Sequence, residues 1–176
     1  MPPLGPIDRA ALRALPSETF GHAFAKFLDE NNLNPEDLPD MPGLTDESYV
    51  RAHLFETHDI WHIVTGFDTS VEGELGLQAF YLAQFPAPLA AALLAAGFLN
   101  MALYRELDRP ELMDAIVKGW GMGRRARQLF GMRWAEKWDM PLSEIRSDLE
   151  IEADLREVRL AARRPMAPNL ALPAFA

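Results

Sequence analysis

Apolar side chains recur along this chain at helical spacing. After Ser17, which reads as an N-cap, Phe20, Ala23, Phe24, Phe27 and Leu28 fall at i, i+3, i+4, i+7 and i+8, a single apolar stripe. Asn31 to Gly43 holds Pro35, Pro39 and Pro42 and reads as a turn-rich connection. Thr45 or Asp46 opens a second helix that runs towards Gly66. The stretch Gly66-Phe67-Asp68-Thr69-Ser70 breaks it, and Thr69 or Ser70 caps a third helix through about Phe85. Pro86 and Pro88 then separate an Ala/Leu-rich helix reaching about Leu107. Arg109-Pro110-Glu111 starts another, with proline where the first helical turn tolerates it. A last helix begins near Ser143 and extends as far as Arg164. No stretch alternates with period two long enough for a strand. The pattern predicts an all-α, single-domain helical bundle.

Proline also marks the ends. Pro2, Pro3, Pro6 and Pro16 precede the first stripe, and Pro165, Pro168 and Pro173 follow the last, so both termini are expected to be irregular. The expected division is an irregular segment over 1–16, a helical domain over 17–160 and a flexible tail over 161–176. The start lacks the basic and apolar regions of a signal peptide and the Arg/Ser bias of a transit peptide, as in a bacterial cytosolic protein or a processed chain.

Charge changes the picture in two places. Lys and Arg total 17 against 26 Asp and Glu, a formal charge of −9, which argues against binding nucleic acid through its phosphates. The excess is uneven. Residues 1–117 hold 6 basic and 18 acidic side chains, and residues 118–176 hold 11 and 8, so the C-terminal third is locally cationic. In addition, no charged residue occurs from Leu75 to Tyr104. That run is long enough for a bilayer core, which about 20 apolar residues span. Pro86 and Pro88 divide it, however, so it reads as two helices apolar on most faces: bundle core, the wall of an apolar tunnel or a membrane-docking face, with a true span the remaining alternative.

With no cysteine, a metal would have to be held by His, Asp or Glu. The sharpest candidate is His58-Asp59-Ile60-Trp61-His62, with Glu74 after it. At about 100° per residue, His58 and His62 lie roughly 40° apart, one turn above the other, and Asp59 roughly 60° further round. Two imidazoles at i, i+4 can reach one ion. Glu74, about 18 Å further along a continuous helix, would be out of reach. The break at 66–70 lets it return on an antiparallel neighbour. His58, Asp59, His62 and Glu74 together suit a divalent ion: zinc, iron or manganese. A surface His-Asp pair and a chance His pair fit the same spacing. A zinc-protease reading is poor, because Asp59 stands where that motif needs Glu.

The segment Gly121-Met122-Gly123-Arg124-Arg125-Ala126-Arg127 is a second candidate. Arg124, Arg125 and Arg127 could grip an anion or meet anionic lipid head groups, and a solvated helix end explains them equally. Trp120, Trp134 and Trp138 read as core or interface packing. His53, one turn before the motif, is a candidate outer partner of the site. His22 reads as plain helix surface or core, and Asp68 and Glu72 as loop and cap residues.

Together these residues resemble the coenzyme Q (ubiquinone) biosynthesis proteins of the fourth Coq type. That family's His-Asp-x-x-His, eleven residues, then Glu pattern is matched without a gap by His58, Asp59, His62 and Glu74. The flanks agree as well: His58 to Gly66, Gly73 to Phe80, Gly123-Arg-Arg-Ala126 and Trp138 to Arg146, over roughly residues 15–155. The resemblance implies metal-dependent oxidative decarboxylation of a polyprenylated hydroxybenzoate, its C1 carboxyl replaced by hydroxyl. His58, Asp59, His62 and Glu74 would hold the ion, with one carboxylate acting as base instead of ligand as the alternative. Zinc is expected in the isolated protein, with iron or manganese for the chemistry. The implied alternative is a non-catalytic scaffold that binds prenyl lipid and organises the other quinone-biosynthesis enzymes. A phosphohydrolase fits less well, since its ligands come from more scattered positions. Expected partners are the polyprenylated aromatic quinone precursor, other ubiquinone-biosynthesis enzymes, a membrane surface contacted peripherally and a second copy in a homodimer. The expected location is the cytoplasmic face of a bacterial inner membrane, or the matrix face of the mitochondrial one.

Overall fold

A computed structural model describes residues 4–33, 46–103 and 109–152. Among them are seven α-helices and no strand: α1 Arg9–Arg13, α2 Phe20–Glu30, α3 Asp46–Thr65, α4 Val71–Gln84, α5 Pro88–Leu103, α6 Pro110–Arg125 and α7 Leu142–Asp148. A 3₁₀ turn over Trp134–Lys137 precedes α7. The all-α expectation holds.

The boundaries differ where local hydrogen bonding outweighs periodicity. Thr19, not Ser17, caps α2, its hydroxyl accepting from the His22 amide. The Ser17 hydroxyl instead lies against Glu18. Helix α1 forms inside the segment expected to be irregular, because Asp8 accepts from the Ala11 amide and supplies the cap. Ser70 caps α4 as expected, accepting from Gly73, and Asp68 in turn accepts from Ser70. The last helix stops at Asp148, where Glu150 takes a φ of 58°. The expected extension to Arg164 and the tail over 161–176 lie outside the described residues. So do most of the 31–43 connection and the end of the fourth expected helix beyond Leu103.

The stripe on α2 buries Phe20, Phe24, Ala25 and Leu28 against Ile60, Trp61 and Val64 of α3 and Leu77 and Phe80 of α4. Trp134 and Ile145 close this core, and Trp138 stacks on Phe20 at 4.8 Å. A second cluster joins Leu75 and Ala79 of α4 to Leu94 and Met101 of α5 and Leu112 of α6. Helix α4 is therefore central. It buries every residue from Leu75 to Tyr81 and packs most extensively on α6. Helix α5 buries only Ala90, Leu94 and Met101. The uncharged run thus splits into one core helix and one largely exposed one. No helix among the described residues is long and apolar enough to cross a membrane.

Two devices position the α3–α4 corner. Gly66, at φ 81°, ends α3 in a left-handed turn that a side chain would strain. Arg146 of α7 reaches back to the same end, donating from Nε to the Val64 carbonyl (3.0 Å) and from Nη2 to that of Ile63 (2.6 Å). These are carbonyls near a helix end, where intrahelical partners run out. Arg146→Ala should cost about 2 kcal/mol, roughly 6 °C in Tm, by leaving half-buried carbonyls without their donor. Thermal melts followed by circular dichroism read this directly. Arg146→Lys should recover only part, since one ammonium does not reproduce the guanidinium fork.

Candidate metal centre

The turn at Gly66 lays α4 back against α3 and delivers Glu74 to the histidine pair. His62 Nε2 lies 3.1 Å from His58 Nε2 and 3.2 Å from Glu74 Oε1, and His58 Nε2 lies 3.7 Å from Glu74 Oε2. One ligand atom from each of His58, His62 and Glu74 falls within 4.8 Å of the others. Ligands about 2.0–2.1 Å from one zinc ion in a tetrahedron stand roughly 3.3 Å apart, so the two nitrogens are spaced for a shared ion.

The far sides of the rings decide what the near sides can do. His62 is almost fully buried, and its Nδ1 lies 3.1 Å from the Phe67 carbonyl, which can only accept. Nδ1 therefore carries a proton, which turns Nε2 towards His58 and Glu74. The ring also stacks on Phe27 at 5.6 Å. His58 Nδ1 lies 3.3 Å from the Tyr81 hydroxyl. Burial, then the neighbouring Glu74 and Asp59 charges, raise the Tyr81 pKa well above its ordinary value and keep it a phenol. Each histidine thus has an outer partner on its Nδ1, the arrangement that fixes metal-ligating imidazoles.

Burial and then the charge of His62 push the His58 pKa down to about 4, with Glu74 opposing, so His58 is neutral at pH 7. Burial raises Glu74, but hydrogen bonding and charge from His62, then the charge of His58, outweigh it and hold the carboxyl below its usual value. The two Nε2 atoms and the carboxylate crowd one point and call for a positive centre, a proton or a cation, between them. A single proton relieves one contact, and a divalent cation relieves all three. The donor set of two nitrogens and one oxygen fits such an ion and leaves a coordination position open.

Asp59 lies outside the trio whose ligand atoms converge. It still feels His62 and Glu74, and burial raises its pKa above the usual value. Arg124 and Arg125 are exposed at the end of α6, and Arg127 pairs with Glu150 at 3.1 Å, so none of the three joins this cluster. His53 is not an outer partner of the trio. It lies 140° round α3 from His58 by helical geometry, edge-on to Phe130, with Nδ1 3.9 Å from Glu56. Glu72 pairs with Arg109 at the start of α4.

Sequence reading missed Tyr81, the Phe67 carbonyl and Arg146. Tyr81 had a signal: it stands seven residues after Glu74, two turns along the same face of α4. The carbonyl had none, because any residue at position 67 would present one.

The chain is similar in sequence and in fold to known proteins. The family described as "Coenzyme Q (ubiquinone) biosynthesis protein Coq4" matches residues 5–154. A mitochondrial ubiquinone biosynthesis protein coq4 of Talaromyces stipitatus is 34% identical over 157 residues, which are 87% of this chain and 54% of that one. The mitochondrial homologue of Danio rerio is 29% identical over 153 residues, 85% of this chain and 55% of that one. The chain spans about half the length of these curated relatives. A crystal structure of a putative ubiquinone biosynthesis protein from Nostoc punctiforme superposes with a TM-score of 0.75 at 37% identity, covering 85% of this chain and 70% of that one. By sequence and by fold, the chain belongs to the coenzyme Q (ubiquinone) biosynthesis family Coq4.

Proposed function

We propose that this member of the ubiquinone-biosynthesis family is a metal-dependent enzyme that replaces the C1 carboxyl of a polyprenylated hydroxybenzoate by hydroxyl at a membrane surface. The observation that carries the reading is the convergence of His58, His62 and Glu74 on one point, with both Nδ1 atoms tied outside it. A structural ion has no need of the open position that three ligands leave, whereas a reaction centre does. When bound there, a divalent ion supplies Lewis-acid charge to an oxygen of the substrate and, if it is iron or manganese, a route to O₂.

The chain's own residues supply the rest. His58, His62 and Glu74 hold the ion. The Phe67 carbonyl holds the His62 ring in the tautomer that presents Nε2, and the Tyr81 hydroxyl orients the His58 ring. In this reading Asp59, on the same turn of α3 and with its pKa raised by burial, takes or holds a proton beside the site.

The test uses substrate labelled at the ring carboxyl, presented in detergent with air and defined metals. Metal-dependent release of labelled CO₂ is expected. Tight substrate binding with no release, unchanged when the other biosynthetic proteins are added, would replace the enzyme by a lipid-presenting scaffold. The scaffold is the second reading because half of each curated relative lies outside the matched region.

A further inference from the structure

Eight of the ten large apolar side chains exposed among the described residues stand on α5 and α6. On α5 these include Leu89, Leu93, Leu99 and Leu103, the last two 60% and 69% exposed. On α6 they are Met113, Val117 and Trp120. The apolar flank of α6 packs through Ile116 on the cluster that holds Leu94 and Met101 of α5, both helices lying against α4. We propose that the outer surface of α5 with this flank of α6 is a bilayer-docking face, which sinks into the acyl layer while the rest of the molecule stays in water.

The breadth of the surface argues for a lipid phase. At about 100° per residue the exposed positions of α5 sweep roughly 220° of its circumference. A packed neighbour helix covers a stripe of only about 100°. A second copy meeting α5 helix to helix would leave much of that arc in water, and a fluid apolar phase wets all of it. An ordinary surface-lying helix carries its own polar face. Here α5 has no charged residue, and the body of the protein takes the place of that face. Charge borders the surface on α6, where Asp114 and Lys118 stand beside the apolar flank, and at the end of that helix. Arg124 continues the α6 flank one turn beyond Trp120, and Arg125 is exposed beside it. There a guanidinium meets head groups rather than tails. The surface deepens the membrane-surface reading above and rests on it for why a bilayer is at hand. The test reads partition and not turnover, so either can fail alone.

Flotation of the full chain with vesicles of phosphatidylcholine, or of phosphatidylcholine with phosphatidylglycerol, supplies that test. The protein is expected to float with both, more completely with the anionic ones. The pair Leu93→Glu and Leu99→Glu should lower partition by about tenfold or more, and Val117→Glu on the other helix should act in the same direction. Glutamate at exposed Ser143 on α7 should change nothing. Arg124→Ala with Arg125→Ala should remove only the anionic increment. Thermal melts establish that each variant is folded, and Val117→Glu keeps the test if the α5 pair is not. Wild-type protein left unbound by both vesicle types would overturn the proposal. So would glutamate variants that float as wild type does. Sedimentation showing a dimer that those variants dissolve, with flotation unchanged, would assign the face to a second copy.

Discussion

Replacing His62 by alanine should lower affinity for a divalent ion by more than about a hundredfold, because loss of an outer partner alone typically costs 10–100-fold. His62 is the hinge of the trio. It stands within 3.2 Å of both other ligand groups and is the most deeply buried of the three. Its removal also strips the Phe67 carbonyl of its donor, at a cost of about 1–3 kcal/mol to the metal-free fold. Tyr81→Phe makes the informative comparison. It keeps ring and packing, including the stack on Trp61 at 4.2 Å, and deletes only the hydroxyl facing His58. About a tenfold loss is expected there, with the fold unchanged. Competition against a chromophoric chelator measures both. Alanine at position 62 leaving affinity within about threefold of wild type would show that the ion, if any, binds elsewhere.

The convergence of His58, His62 and Glu74 was legible because its logic is arithmetic. A rotation of about 100° per residue stacks His58 on His62, and a Gly-containing break of suitable length brings Glu74 back. What failed was whatever depended on competition between equal local signals. Ser17 and Thr19 are both good caps, and the choice between them rests on the Phe20 and Gly21 amides, which bond instead to the Met140 and Trp138 carbonyls. That pairing is set more than a hundred residues away in sequence. Asp59 shares the sector of α3 that carries His58 and His62, yet the ligand atoms that converge are those of His58, His62 and Glu74, because angular position on one helix does not say where the partner helix lies. Likewise, the uncharged run gave one hydrophobicity for two helices with opposite fates. Burial of α4 and exposure of α5 follow from α6 packing on α4, which no local window contains.

That packing yields the second large effect, Gly119→Ala on α6. A Cβ at this position would fall on the Gly76 carbonyl oxygen of α4, with the Gly76 carbonyl carbon 2.8 Å away. Neither can move without shifting the helix that carries Glu74. Overpacking against backbone should therefore cost about 3 kcal/mol, roughly 9 °C in Tm. The intrinsic helix preference for alanine returns only about 1 kcal/mol of any such loss. Gly121, two residues on, supplies the opposite case. Its Cβ would meet only the Nη1 of Arg125 at 3.4 Å, the mobile end of an exposed side chain. Gly121→Ala should consequently stabilise by about 0.5–1 kcal/mol, the gain from a less flexible unfolded chain. Melts of the two variants side by side separate helix propensity from close approach, because only the second differs between them. Shifts of the same sign would mean that α4 and α6 are not held backbone to backbone. With opposite signs, a weaker metal affinity in Gly119→Ala alone would tie the position of Glu74 to the contact between α4 and α6, a helix that contributes none of the three ligands.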